Sequence, residues 1–492
     1  MSASQKEIRK EQYEVKVTRR REAEEKAQKE ARAYRIKAIL VVALVVIVAA
    51  VVIVFNSGIL YRLPAAQVGG TTYSAAEMNY FYSTAYSSFY SQYSDYISYF
   101  FDTDTDLDEQ VYDEETGETW RDYFLEQAET SAQWVTMFSD EAEAAGRELS
   151  EDGAAAVESN LSYFSSYADV YGVSLNRYLQ LQFGKGVNEK MIRTLLTKSQ
   201  LASEYYNEVY DGFTYTQEET ETYYTANASD LNYYSYYYYF LGGSADEENG
   251  ITEEEAMAAA KEAADALAAQ CTDVETYVNV VTEDSGSAPY YTTQTGANIL
   301  TYGDNYPAWV LDSGRVQGDV AVIEETGGYY LLCFDTVEDN HYATKDIYYV
   351  YMEAGTDEDG NYVEEAIENT RLVAEAMMTD EWDGTVENLA ELASSYSDDT
   401  TYTDGHVEHC AKGTVNSSFD QYLFGDAALA DGEYVVFTVD SGVYVIYVVG
   451  DSALYSDVLA EDAMRAEDYE AWEEAKLANY DVVSQSAEKM VG

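Results

Sequence analysis

Cysteine and basic side chains are both scarce in this sequence, and each scarcity removes a class of function. Three cysteines in 492 residues, Cys271, Cys333 and Cys410, are widely spaced and odd in number, which gives neither a disulfide framework nor a metal-ligand spacing. The fold must therefore rest on its core. Lys and Arg total 28 against 91 Asp and Glu, a formal net charge of −63. Nucleic acid and anionic lipid surfaces would both be repelled, so neither is expected as a partner. Basic ligands and cations remain open. Long apolar runs are absent with one exception, Ala38 to Phe55, in which no charged or strongly polar residue occurs.

That run is long enough, as a helix, to cross a thin hydrocarbon layer. Residues 1–37 on its N-terminal side carry 12 Lys and Arg against 7 Asp and Glu, whereas everything beyond it is acidic. The positive-inside bias then keeps 1–37 in the cytoplasm and sends the bulk of the chain outside, with 38–55 as a single transmembrane helix. A cleaved signal peptide is the alternative. Its n-region would be unusually long, no A-x-A site follows Phe55 closely, and a retained anchor in a cell membrane fits better.

The remainder exceeds one ordinary core and suggests two to four domains. Hydrophobic content of 47% is normal for a globular protein, so acidity alone does not imply disorder. Tyrosine is the oddity, at 50 residues. It supplies apolar area with a polar tip, so strands and helix faces here can be built from Tyr where other chains use Leu or Phe.

Residues 5–37 mix Lys, Arg, Glu, Gln and Ala without an apolar stripe and read as a solvated helix. From Pro64 the pattern is a short strand, a Gly69-Gly70 turn, a second strand and a helix start, with Ser74 and Glu77 as a capping box. Met78, Tyr82, Tyr86, Phe89, Tyr93, Tyr96 and Phe100 recur every three or four residues, one face of a long helix. Asp102, Asp104, Asp106 and Asp113 invite a calcium reading. Leu107 stands where the EF-hand loop needs Gly, and Asp113 where it needs Glu, so a solvated acidic loop is the better account. Helical patterning then runs from Trp120 to about Ser229, broken at Gly146, at Gly172, at Gly184-Lys185-Gly186 and at Gly212. A second capping box, Thr216 with Glu219, opens a helix over Gln217 to Asn227.

The order Val68-Gly69-Gly70, Ser74 to Glu77, Glu143-Ala144-Ala145-Gly146, Tyr178 to Gly184 and Tyr215 to Glu219 resembles the N-terminal helical chaperone module of SurA/PrsA-type extracytoplasmic foldases. The resemblance covers about 64–229. No single motif in it is strong, and their order carries the weight. The family's usual Val-Asn-Gly stands here as Val68-Gly69-Gly70.

Beyond 229 the composition turns to mixed strand and helix. Tyr233 to Phe240 has β-formers on both faces, as a central strand buried on two sides would. Thr252 with Glu255, and Thr272 with Glu275, are set as caps of two further helices. Comparison of the chain with itself is more informative. Gly318 to Gly328 and Gly432 to Gly442 share a ten-residue spacing, and each pair is preceded by a strand and a helix: Tyr233 to Phe240 with Thr252 to Ala269, and Ile347 to Met352 with Val363 to Met378. Two copies of one βα…ββ unit follow, at 230–340 and 341–450.

The second copy resembles a parvulin-type peptidyl-prolyl isomerase domain, through Leu389 to Asp399, Asp404-Gly405, Lys412-Gly413, Phe419, Gly432-Glu433 and Asp440 to Ile446. Carried over by position, Asp399 matches the family's Asp or Cys, Phe419 the pocket Phe, and Val415 the pocket Met. The two family histidines fall on Tyr349 and Tyr444. The resemblance thus implies Asp399, Tyr349 and Tyr444 as the catalytic positions and Val415 and Phe419 as the substrate pocket, with activity in question because a phenol stays neutral near pH 7. In the first copy Tyr330 takes the late His position and the Ser-x-Asp stretch is missing, so that copy is expected to be non-catalytic. The chain's own His341, His406 and His409 do not restore the missing pair. His406 and His409 could bind metal if they lay on a helix, but the alignment puts them on a turn and strand, and surface or packing roles are favoured. No metal and no cofactor is expected. The 451–492 tail reads as a long helix over Leu454 to Met490, with Trp472, Leu477, Tyr480 and Val483 on its apolar side, and the resemblance implies that it returns to the helical module.

The expectation is an α+β chain: one transmembrane helix, an all-α chaperone-like module, two parvulin-like α+β domains and a C-terminal helix. Its partners would be unfolded or partly folded exported polypeptides. An active isomerase is the rival reading, and an acidic adhesin or cation-binding stalk a third. Oligomeric state is left open.

Overall fold

The computed structural model describes residues 26, 37, 39–49, 58–245, 250–303, 305–357 and 359–492. These residues form a mixed α+β chain with three antiparallel sheets. Residues 39–49 are helical and exposed. Among the described residues no helix is long and apolar enough to cross a membrane. The rest of the expected 38–55 span, and all of the 1–37 segment but Lys26 and Lys37, lie outside the described residues. The chain divides into two compact units, Met1–Gly212 with Tyr469–Gly492, and Phe213–Asp468.

In the first unit, strands β1 (Pro64–Val68) and β2 (Thr71–Ser74) lead into helix α1 (Ala75–Gln92) through the expected capping box, with the Ser74 N–H donating to Glu77 at 2.7 Å. Such a cap stabilises a helix by about 1 kcal/mol. Helix α2 (Trp120–Ala144) buries Trp120, Phe124, Ala128, Ala132 and Val135 along one face, and these pack on Met78, Phe81 and Tyr82 of α1. Helices α3 (Glu151–Val170), α4 (Leu175–Phe183) and α5 (Glu189–Gly212) follow, separated at the glycines. The aromatic stripe from Met78 to Phe100 is not one helix, because α1 stops at Gln92 and Ser94–Tyr99 is a 3-10 turn. The break lets Phe100 and Phe101 fold back on Phe89, with ring centroids at 5.2 and 6.1 Å. Aromatic packing outweighs helical continuity there.

The tail also departs from one long helix. After α12 (Tyr455–Leu477) comes β11 (Val482–Ser484), which pairs antiparallel with β1. Trp472, Leu477 and Tyr480 pack on Met137 and Phe138 of α2, whereas Val483 lies in the strand, 52% exposed. Arg121 then fixes the last residues by donating to the Val491 and Glu488 carbonyls at 3.0 and 3.1 Å.

The second unit opens with α6 (Gln217–Leu231), which runs past Asn227 through a non-helical residue there. Residues 213–229, expected with the helical module, group with this unit. Two four-stranded sheets follow. In the first, β3 (Tyr233–Gly242), β4 (Tyr290–Thr295), β5 (Val320–Glu325) and β6 (Gly328–Glu338) lie in the order β4-β3-β6-β5. In the second, β7 (Ala343–Glu353), β8 (His406–Cys410), β9 (Tyr434–Val439) and β10 (Gly442–Leu454) lie in the order β8-β7-β10-β9. The topologies are the same. Strand β3 is central but fully buried only over Tyr234–Tyr236; Phe240 is 40% exposed. Helices α7 (Glu253–Ala268) and α8 (Val274–Ser285) cover one face of the first sheet, and α10 (Glu364–Ala376) and α11 (Val386–Tyr396) the same face of the second. Helix α9 (Asn305–Val310) lies on the opposite face of the first sheet. The cap of α8 is Asp273 with Thr276, one residue beyond the expected Thr272 and Glu275, because the Asp273 carboxylate reaches the Thr276 N–H at 2.8 Å.

The repeated glycines have a physical reason. Gly318 and Gly432 adopt φ of 87° and 82°, and each donates its N–H across the hairpin at 2.8 Å, to Phe334 and Val448. At Gly328 and Gly442 a Cβ would fall 2.3 and 2.2 Å from the Leu241 and Met352 carbonyl oxygens. The neighbouring central strand leaves no room for a side chain. Gly442→Ala should therefore cost about 1–3 kcal/mol by overpacking; Gly70→Ala, where nothing lies within 4 Å, should stay within about 0.5 kcal/mol in chemical denaturation.

Burial raises many phenols, with Tyr82, Tyr236 and Tyr342 each pushed up to about 12. The folded state holds these protons above the unfolded value near 10, so this stability is complete below about pH 10 and is lost as pH rises towards 12. Absorbance at 295 nm should show a fraction of the phenols withheld from ionisation near pH 10 and released in a cooperative rise coincident with loss of helical circular dichroism.

Candidate binding site

Strand alternation puts Ile347, Tyr349 and Tyr351 of β7, and Tyr444, Ile446 and Val448 of β10, on the sheet face opposite α10 and α11. The segment between β8 and β9 folds over that face and adds Val415, Phe419 and Leu423. The structure therefore brings Tyr349, Tyr444, Phe419 and Val415 into one cluster. Phe419 meets Tyr349 at 5.6 Å and stands edge-on to Tyr444 at 5.0 Å and 83°. Tyr351 and Phe437 also pack on Tyr444, at 4.7 and 5.7 Å. Tyr349 and Phe419 are each 1% exposed. Phe419 is thus enclosed by the protein's own rings.

Asp399 lies in the loop before β8. Its Oδ1 accepts the Thr401 and Tyr402 N–H groups at 2.8 and 3.0 Å, an Asx turn that shapes this loop. Burial raises the Tyr349 phenol pKa, and the neighbouring Asp399 carboxylate raises it further. The Tyr349 oxygen nevertheless makes no hydrogen bond among the described residues, since the two groups do not meet at bonding geometry. Burial likewise raises Tyr444, with Tyr351 adding to it. Both phenols stay neutral through the physiological range, so neither replaces a titrating imidazole.

His406 and His409 sit on the strand β8, where residues three apart face opposite ways. His406 bonds Asp346 at 2.9 Å and stacks on Tyr348, while His409 bonds Ser452 at 2.8 Å. Asp102 caps its own loop through the Asp104 N–H at 2.9 Å, and Asp113 does the same for Glu115 at 2.7 Å. Among the described residues no group of three His, Cys, Asp or Glu is placed to hold a metal. Cys333 and Cys410 are buried free thiols pushed up to about 12 by desolvation, and are therefore unreactive.

The equivalent face of the first repeat is open. A pocket of about 350 Å³ lies over β3, β4 and β6, within the usual range for ligand sites. Its walls are Tyr236 and Tyr238 of β3, Tyr330 of β6, and Tyr302 and Tyr306 from the segment between β4 and β5; Thr292, Gln294, Glu325 and Thr326 complete it. Tyr306 stands edge-on to Tyr330 at 5.2 Å and 85°, as Phe419 does to Tyr444. Sequence reasoning placed Tyr330 at the late His position but passed over the other lining residues. Applying the glycine register in reverse, so that Tyr444 maps on Tyr330, would have pointed to this face.

The chain matches no known family model and no curated protein sequence. The geometry of these two faces therefore carries the functional argument.

A buried hydroxyl without a partner costs about 1–3 kcal/mol. Tyr349→Phe should accordingly melt at or above the wild-type temperature in a thermal scan, whereas a phenol that bonds Asp399 would make the same change destabilising.

Proposed function

We propose that the chain is a membrane-tethered extracytoplasmic holdase of the SurA/PrsA kind, which binds unfolded or partly folded exported polypeptides and whose prolyl isomerase activity is weak or lost. The observation that carries this reading is the filled second site: Phe419 lies under Tyr349 and Tyr444 with no free ring face for a proline. Isomerisation faces an amide barrier of about 18–20 kcal/mol, and lowering it requires polar groups preorganised around the twisted bond. Two neutral phenols and a carboxylate engaged in an Asx turn do not supply that. Two copies of one sheet scaffold, one filled and one open, suit a protein that holds chains. The tether rests on the apolar run at 38–55 and the charge asymmetry across it, and the acidic bulk would repel the membrane surface outside.

The test uses the intact chain in detergent or bilayer. At stoichiometric amounts it should slow the aggregation of a thermally unfolded globular protein without nucleotide, and should leave the cis-trans relaxation of a prolyl peptide at its uncatalysed rate. Asp399→Ala should change neither. Catalysis that Asp399→Ala abolishes would make the chain an active isomerase instead.

A further inference from the structure

The pocket of the first repeat has a composition that selects its ligand. Five tyrosine rings line it, and four of them meet at steep angles: Tyr306 lies edge-on to Tyr302 at 5.5 Å and 65° and to Tyr330 at 5.2 Å and 85°, and Tyr330 in turn to Tyr238 at 6.1 Å and 63°. Each ring offers a negative face, and such faces set around one cavity attract a cation. Among the described residues the one carboxylate in the lining is Glu325, whose Oε1 accepts the Tyr306 N–H at 3.3 Å, and no Lys or Arg lines the pocket.

Two buried polar atoms there lack partners. The Tyr236 phenol is 0% exposed, and its oxygen makes no hydrogen bond among the described residues, although the Tyr306 hydroxyl is near enough to affect its ionisation. Gln294 Nε2 donates to Thr292 Oγ1 at 3.3 Å, which leaves the buried Gln294 Oε1 unpartnered. Buried acceptors left without donors are costly and are ordinarily satisfied. Both oxygens are closed off behind the pocket lining, so a ligand meets the ring faces and Glu325. An anion or a carboxylate ligand would face that carboxylate and the negative ring faces together. Tyr302, 46% exposed, stands at the mouth.

We propose that this pocket is an aromatic cage for an alkylammonium group. The net charge of −63 raises the local concentration of such cations around the chain. The same head group occurs at the end of a lysine side chain and in small quaternary amines. This inference stands on the cage alone and does not depend on the holdase reading.

Isothermal titration of the intact chain tests it with three probes: choline chloride, Nα-acetyl-lysine methylamide, and 3,3-dimethylbutanol, the neutral isostere of choline. At least one cation should bind saturably with one site per chain, and the neutral isostere about tenfold more weakly or not at all. Tighter binding of choline would assign the site to free quaternary amines, and tighter binding of the lysine derivative to a polypeptide side chain. Tyr302→Leu, at an exposed position that leaves the core intact, should weaken the cation about tenfold, and Glu325→Gln about threefold, with circular dichroism unchanged. Equal binding of choline and dimethylbutanol would overturn the proposal, as would wild-type affinity in both variants or the absence of saturable binding of either cation. Suppression of aggregation that persists without ammonium binding would leave the holdase reading standing and remove this one.

Discussion

Burying a tyrosine brings a large apolar ring out of water and obliges the fold to do something with its hydroxyl, and most of this structure is arranged around that obligation. Where a partner is at hand the ring behaves as ordinary core. The Tyr277 hydroxyl, on a residue 0% exposed, donates to the Leu331 carbonyl at 2.7 Å and so ties helix α8 to strand β6. Tyr73 meets Thr136 at 2.8 Å and ties β2 to α2. Cross-links of this kind do some of the positioning that disulfides do in other folds. Tyr236 and Tyr349 lack such partners, and both sit on the sheet faces turned away from the paired helices.

The repeats share their strand order, their hairpin glycines and the edge-on aromatic contact between the last strand and the segment crossing the face. They differ in bulk at a few positions. Phe437 stands where Ile323 stands in the first copy, and it stacks on Tyr444 at 5.7 Å and 26° while also meeting Tyr422 at 4.7 Å. Ile323 makes no such aromatic bridge, and the space beside Tyr330 stays open. One face has been closed with rings and the other left as a cavity, on a scaffold whose other face, under paired helices, is conserved between copies in layout.

Acidity is managed locally while it accumulates globally. Helix N-termini take Glu77, Asp122, Glu219, Glu255 and Asp273, where the free N–H groups and the helix dipole favour a negative charge. Asp102, Asp113, Asp357 and Asp399 each close a turn on their own backbone. Side chains that look in the sequence like a cation-binding cluster are in large part engaged in shaping loops.

Capping boxes, glycine breaks and the two-copy repeat were legible from the residues, because each is set by contacts only a few positions apart. Ser74 with Glu77 and Thr252 with Glu255 needed nothing beyond backbone N–H groups left free by the first helical turn. The α+β character followed from strand patterning and the repeat, whereas Tyr349, Tyr444, Phe419 and Val415 were singled out by the parvulin resemblance, and the structure gathers them on one face. Tertiary structure decided the rest. The stripe ending at Phe100 kept a helical period, yet Phe100 and Phe101 gained more by packing on Phe89 and Trp120 than by extending α1. The tail carried a helical pattern to Met490, yet the backbone edge of β1 was free to pair, and Val482–Ser484 took it. Whether a ring-lined face is filled or hollow depends on side-chain volume summed across segments as far apart in sequence as Tyr236 and Tyr330, or Tyr349 and Tyr444, and no local pattern encodes that sum.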